Sequence, residues 1–364
     1  MTFKFNEATT KNYLYRHMNL KKIINSSGEF VTTKLGSFDH EYQSCDIEVT
    51  PNNVRLASYH GYHNGSSTVY RDVTTPRLCS KYDHLFATDV PSNTIASRAL
   101  DGVGTTEYVQ CFTINCHMSN RAYTVSYGTP SKSGIGLLPV YVEIAPWSEV
   151  ILDEHFHSDV DNKICKIVYV LREGAKLTLN RANFDSKDNA NFMLESRFIQ
   201  HPGSSLTINT RSGDIPYLQD LYFVKTYQET TTKITGRYRV NKRESVHVIT
   251  DVDHTGVNST SDIDVKSVVD GSSRFTFSGD IKVRREAEGT DANLQNKNLQ
   301  LSDTAVVVTE PNLDISTKEI ACKHGCTIST IDPDQMYLLN ARGVSPSHAK
   351  QILTESFLNE ETIK

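Results

Sequence analysis

Cys322, His324 and Cys326 alternate along the run Cys322-Lys323-His324-Gly325-Cys326. Thiolate and imidazole together suit iron, zinc or an iron–sulfur cluster. Cys322 and His324 alone do not close a coordination sphere, so two readings stand: part of a metal site, or a buried Cys322 with a His324 satisfied by backbone hydrogen bonds. Cys326 joins their face only if a strand continues through Gly325, because side chains alternate across a strand. Other candidate ligands are looser. His155 and His157 flank Phe156 on an expected strand and read as two exposed histidines, while Cys111, Cys116 and His117 read as structural. The cluster Tyr59, His60, Tyr62, His63 reads as a polar surface loop.

The chain has 364 residues, room for one long domain or two smaller ones. Its 38 basic against 43 acidic residues give a formal charge of -5, which argues against a nucleic-acid binder held by phosphate neutralisation. Lys242-Arg243 and Arg284-Arg285 are short clusters of the kind found on solvated faces. No apolar run approaches the ~20 residues that span a bilayer, so no membrane association is expected. The opening residues carry no apolar core of a secretory signal. Seven scattered cysteines make no disulfide framework in so long a chain, and a reducing cytosol suits them.

The elements that would position these groups are mostly short strands. Apolar and polar residues alternate from Val140 to Ile144, Val150 to Phe156, Ile164 to Val170, Ala175 to Leu179, Phe192 to Ile199 and Ser205 to Ile208. The pattern continues through Leu221 to Thr226, Lys233 to Val240, Val246 to Val252, Ile263 to Val269 and Phe275 to Val283. Each has one buried face, and Gly174, Gly203, Gly213, Gly256 and Gly271 mark the turns. A sandwich, a barrel and a solenoid all fit this spacing, and no strict repeat decides between them. Residues 1–135 are mixed, with one short helix expected from Tyr13 to Ile24.

A helical hairpin closes the chain. Asp332 caps a helix with Pro333 in its first turn and Gly343 past its end. Ser345-Pro346 opens a second helix, whose Ala349, Ile352, Leu353, Ser356 and Phe357 form one mostly apolar stripe.

The same C-terminal stretch resembles the SufB/SufD family, the scaffold subunits of SUF iron–sulfur cluster assembly. Phe277-Ser278-Gly279-Asp280-Ile281 resembles its Phe-x-Gly strand, and Asn296-Lys297-Asn298-Leu299-Gln300-Leu301-Ser302 its Asn-Arg-Asn-Leu-Leu-Leu-Ser stretch. Pro311-Asn312-Leu313-Asp314-Ile315 is similar to Pro-x-Leu-x-Ile. Cys322-Lys323-His324-Gly325 resembles the Cys-x-His-Gly of the SufD branch. Asp334-Gln335-Met336-Tyr337-Leu338 and Arg342-Gly343-Val344 are similar to the family's Asp-x-Gln-x-x-Tyr-Leu and Arg-Gly-Ile, with the first one residue shorter around Gln335.

The resemblance implies an all-β core, a right-handed parallel β-helix, over residues 136–325, followed by a small C-terminal α-helical domain over 326–364. It implies a SufD-like, non-catalytic subunit that pairs with a SufB-like scaffold subunit or a second copy of itself. A SufC-like ABC-type ATPase would sit on the C-terminal helices, with Tyr337, Leu338, Arg342, Ile352 and Phe357 as the candidate contacts. A transient iron–sulfur cluster would form at the subunit interface, with His324 and Cys322 as this chain's metal ligands, and reduced flavin is associated with such complexes. The SufB branch has a cysteine where this chain has Ala305, so the partner would supply that thiolate. Cys326 falls where the family usually has a small residue. Two alternatives remain open: a β-helix protein that binds or cleaves carbohydrate, with Asp251, Asp253, Asp262 and Asp264 as acid–base material, or a divergent SufD-like protein that has lost cluster chemistry.

Overall fold

The computed structural model describes five short strands, β1 (Thr2–Lys4), β2 (Glu29–Val31), β3 (Ile47–Thr50), β4 (Asn53–Leu56) and β5 (Val73–Thr74), and then residues 110–116, 121–128, 135–158, 162–186 and 191–359. The expected Tyr13–Ile24 helix, the Tyr59–His63 cluster and His117 lie outside the described residues.

Strands alternate between two walls. One wall holds β6 (Gln110–Ile114), β8 (Ile135–Ile144), β10 (Asn162–Leu171), β12 (Asn191–Gln200), β14 (Tyr217–Thr226), β16 (Ser245–His254), β18 (Arg274–Val283) and β20 (Val306–Ile315). The other holds β7 (Arg121–Tyr127), β9 (Glu149–Ser158), β11 (Lys176–Ser186), β13 (Ser205–Ser212), β15 (Thr231–Val240), β17 (Thr260–Val269), β19 (Thr290–Gln300) and β21 (Ile320–Ser329). From β8 to β19 each strand pairs in parallel with the strands two before and two after it, so the chain winds as a parallel β-solenoid. The spacing left sandwich, barrel and solenoid open; the pairing selects the solenoid. Its strands extend beyond residues 136 and 325 on both sides.

Parallel, in-register stacking puts equivalent side chains in columns along the axis. In the second wall one interior column runs Tyr123, Leu152, Leu179, Ile208, Ile234, Ile263, Leu294, every member at most 1% exposed. Burying each such aliphatic side chain stabilises the stack by about 1.5–3 kcal/mol.

One corner of the coil has its own column. Trp147, Gly174, Gly203, Glu229, Asn258 and Gly289 all have φ between 55° and 74°. Each N–H donates to a carbonyl of the next turn, at 2.8 to 3.1 Å, so the corners are laced together like the strands. Ser148, Ala175, Ser204, Thr230, Ser259 and Thr290 follow these residues and are all buried. A repeat therefore exists, as a left-handed residue followed by a small buried one. It escapes notice because only three of its six left-handed positions are glycine. Glu229 and Asn258 hold the same conformation at a cost of about 1–2 kcal/mol for an ordinary residue.

Polar groups enter the interior in the middle rungs. Arg181 is fully buried and reaches Glu154 Oε2 through Nε (3.0 Å) and Nη2 (2.8 Å), Asp220 Oδ1 through Nη1 (3.2 Å) and Ser196 Oγ through Nη2 (3.0 Å). Tyr127 and Tyr169 donate to the other Glu154 oxygen, and Tyr222 and Tyr238 to the other Asp220 oxygen. Burial raises the Asp220 pKa, while Arg181 and the two tyrosines oppose the rise. His254 is also interior. Its ring nitrogens meet Ser259 Oγ at 2.7 Å and Ser261 Oγ at 2.9 Å, and burial lowers its pKa to about 4.

The hairpin consists of α1 (Pro333–Ala341) and α2 (Pro346–Asn359). Asp332 accepts from Asp334 N as the N-cap, and Gly343 has φ +87, both as the sequence predicts. The buried face of α2 differs from the expected stripe. It runs through Ala349, Thr354 and Leu358, while Ile352 is exposed. Leu358 and Phe357 pack on Val268 and Leu299, on the outer surface of the second wall. Lys266 donates to the Phe357 carbonyl, Lys350 pairs with Asp270 at 2.7 Å and Arg239 with Glu355 at 2.5 Å. With these contacts the helix presents to the wall a face different from the one that apolarity alone selects.

Two outcomes follow for stability. Arg181→Met leaves two interior carboxylates without their cation, and chemical denaturation should show a loss of about 3–5 kcal/mol. The folded pKa of His254 lies below its unfolded value near 6.5, so the unfolded chain binds the extra proton. Its contribution is complete above about pH 6.5 and is lost progressively as pH falls towards 4, to the extent of about 3 kcal/mol. Urea titrations across that window should be steeper in pH for the wild type than for His254→Gln.

Candidate metal centre

β21 carries the Cys-x-His-x-Cys run and continues without interruption to Ser329. Its register with β19 places Cys322 beside Ala292, His324 beside Leu294 and Cys326 beside Asn296. All three β19 residues are fully buried in the interior, so the three ligand-type side chains share the interior face of the wall. The condition for Cys326 to join the face of the other two is met.

His324 is the next member of the aliphatic column that ends at Leu294. Every earlier position of that column holds an aromatic or aliphatic side chain, and an imidazole breaks the pattern. It is tolerated there because β21 has no following rung. His324 and Cys326 are exposed, and Ile328 beyond them is 49% exposed. The opposite wall of the same rung, β20, contributes Val307, Thr309, Pro311, Leu313 and Ile315, by register with interior residues of β18. Interior side chains of both strands thus line an open mouth, and the outer edges of β20 and β21 pair with no described strand.

The two cysteines differ. Cys322 is half-buried and packs against the core beneath it. Burial raises its thiol pKa, the Asp291 carboxylate adds to the rise and a backbone hydrogen bond with Ala292 opposes it. Less thiolate is therefore available at neutral pH from Cys322 than from an ordinary cysteine. Cys326 stands clear of the core.

No group of three or more His, Cys, Asp or Glu side chains among the described residues is placed to hold one metal ion. Extended geometry explains this. Positions two apart on a strand lie about 6.5–7 Å apart, so first and third members are twice that distance. With metal–ligand bonds of about 2.0–2.3 Å, one ion can bridge neighbours but not all three. The mouth offers a fraction of a coordination sphere, whose remaining positions would fall to solvent or another chain.

The remaining candidates lie elsewhere. Ala305 is buried in the turn before β20 and offers no donor. The His155 and His157 rings stack at 6.2 Å between centroids on the outer surface of β9, half-buried rather than exposed. Cys116 is buried near the start of the solenoid. Asp251 and Asp253 sit on β16 and Asp262 and Asp264 on β17, in opposite walls. Asp251 binds Lys282, Asp253 binds Arg284, Asp264 binds Arg237 and Asp262 accepts from Asn293. These four do not gather into an acid–base pair.

The five hairpin candidates divide in two. Tyr337 is 75% exposed and Leu338 50%, while Arg342 and Ile352 also face outwards, and α1 has no buried residue. Phe357 is instead used within the chain, against Val268 and Leu299 with the Lys266 ammonium over its ring. No helix among the described residues is long and apolar enough to cross a membrane.

The family model described as "SUF system FeS cluster assembly, SufBD core domain" matches residues 134–357. Over 95 residues the chain is 36% identical to an iron–sulfur cluster assembly SufBD family protein of Synechocystis, covering 26% of this chain and 21% of that protein. It is 35% identical over 97 residues to the iron–sulfur cluster assembly protein SufD of Escherichia coli, covering 27% and 23%. It is 26% identical over 160 residues to SufD of Bacillus subtilis, covering 44% and 34%. These alignments span between 21% and 34% of the relatives' own lengths. The family match covers more than half of the chain and includes both the open mouth and the hairpin: the chain belongs to the SufB/SufD family, with SufD-like relatives.

Proposed function

We propose that this chain is a non-catalytic, SufD-like scaffold subunit of iron–sulfur cluster assembly. The observation that carries the reading is His324. It stands where a buried aliphatic side chain would complete its column, on the β20–β21 rung, whose interior is open. Such a local breach of an otherwise consistent pattern is expected at a functional position.

The mouth is suited to a protein partner. Unpaired edges of β20 and β21 present main-chain donors and acceptors, and partly exposed Val307, Leu313, Ile315, Ile320 and Ile328 surround them. A SufB-like subunit or a second copy of this chain would cover that surface. The nascent cluster is cargo at the seam, with His324 giving an imidazole, β21 a thiol beside it, and the partner the thiolate that Ala305 lacks. α1 buries none of its residues, which supports docking of a SufC-like ABC-type ATPase through Tyr337, Leu338, Arg342 and Ile352. ATP hydrolysis would belong to that subunit, and the assembly would work in a reducing cytosol.

Two experiments test the proposal. Anaerobic reconstitution with the partner should give about tenfold less cluster with His324→Ala, since even outer-shell changes at metal sites cost that much. Equal iron and sulfide content in both would remove His324 from the site. Leu338→Asp should abolish co-purification with the ATPase while leaving the melting temperature within a degree or two, because an exposed substitution barely changes stability. Retained co-purification would separate α1 from the docking role.

A further inference from the structure

We infer that the thiol acting with His324 on this chain is Cys326, not Cys322, and that the pair His324–Cys326 takes a thiophilic metal ion such as the iron of a nascent cluster. The inference rests on the reading of the open rung as a metal centre and changes which residues carry it.

Register and exposure carry the argument. Cys322 continues the interior column Val150, Leu177, Leu206, Thr232, Ser261, Ala292, and packs down onto the core as those residues do. Its sulfur does the work of a small apolar side chain. Cys326 ends a different column, Glu154, Arg181, Thr210, Gly236, Val265, Asn296. The last member beneath it is a polar side chain already engaged, with Asn296 donating to the Val265 carbonyl and accepting from Asn298. No apolar surface there draws the thiol inward, and Cys326 is exposed. His324 lies between the two cysteines and is exposed like Cys326.

Spacing then makes the choice exclusive. One ion can sit between residues two apart on a strand, at about 6.5–7 Å, and His324 has one such neighbour on each side. An imidazole ligates one ion through one nitrogen, so it pairs with one thiolate at a time. Of its two neighbours, Cys326 can turn towards an ion without uncovering the core, whereas Cys322 would have to leave its packing.

Cobalt(II) added anaerobically to the full-length chain tests the assignment, because thiolate–cobalt absorption reports the sulfur ligand directly. Cys326→Ser should weaken cobalt binding at least tenfold and remove the thiolate band, and His324→Ala should weaken it similarly while keeping part of the band. Cys322→Ser should leave both within about twofold. Cobalt should also protect Cys326 from alkylation, read by mass spectrometry of its peptide. The reverse pattern, with loss confined to Cys322→Ser, overturns the assignment and leaves the open rung standing as a metal centre. Wild type without a thiolate band, or His324→Ala and both cysteine variants behaving as wild type, overturns the centre itself.

Discussion

Every rung of a parallel solenoid depends on the next. The following rung covers its interior side chains, pairs its strand edges and accepts the N–H groups of its corners. Here that dependence is met from strand to strand and from turn to turn, as in the donation of Gly174 N to Pro202 O and of Asn258 N to Glu288 O. A stack built this way cannot end without leaving one interior face and two edges unmet. Among the described strands β20 and β21 leave such a face and such edges unmet, and His324 and Cys326 stand there.

The same rule separates two kinds of polar residue that look alike in sequence. Inside the stack a polar side chain must be satisfied by its neighbours, because burial without partners costs more than a hydrogen bond returns. Arg181 with Glu154 and Asp220, and His254 with Ser259 and Ser261, obey this in full. Their partners saturate them, and saturation leaves nothing to bind a ligand. His324 and Cys326 occupy interior register positions without that enclosure. Their donor atoms remain available because the last rung imposes the geometry of a core but not its dryness.

Much of this was legible from residue patterns. Alternation located eleven strands from Val140 to Val283, since one buried face imposes a period of two. Asp332, Pro333 and Gly343 gave the bounds of α1 through local capping physics that needs no tertiary knowledge. Column register is not legible, because it depends on loop lengths: equivalent side chains one rung apart are separated by anything from 26 residues, as in Ile208–Ile234, to 32, as in Phe275–Val307. A drifting period hides the aliphatic column that makes His324 conspicuous. The face of α2 was misjudged for a related reason. Apolarity selects Ile352, whereas the helix meets the wall through Ala349, Thr354 and Leu358 and pairs with Arg239 and Asp270, residues far away in the chain.

A site spread along one strand edge also constrains how metal can be held. An extended backbone spaces ligands too widely to enclose an ion, so β21 alone can bind only through two neighbours and leaves the remaining positions to solvent or another chain. Binding strength therefore depends on whether a second surface is present. If a second surface covered the mouth, it would supply the missing donors, remove water and lower the local dielectric, all of which would tighten a metal held there. Without it, an ion on His324 and Cys326 would rest on an imidazole and a single thiolate, open to solvent on most sides. A closed four-thiolate pocket within one chain would hold its metal in either state. A half-site on the last rung would instead couple retention to association, which suits the scaffold role proposed above.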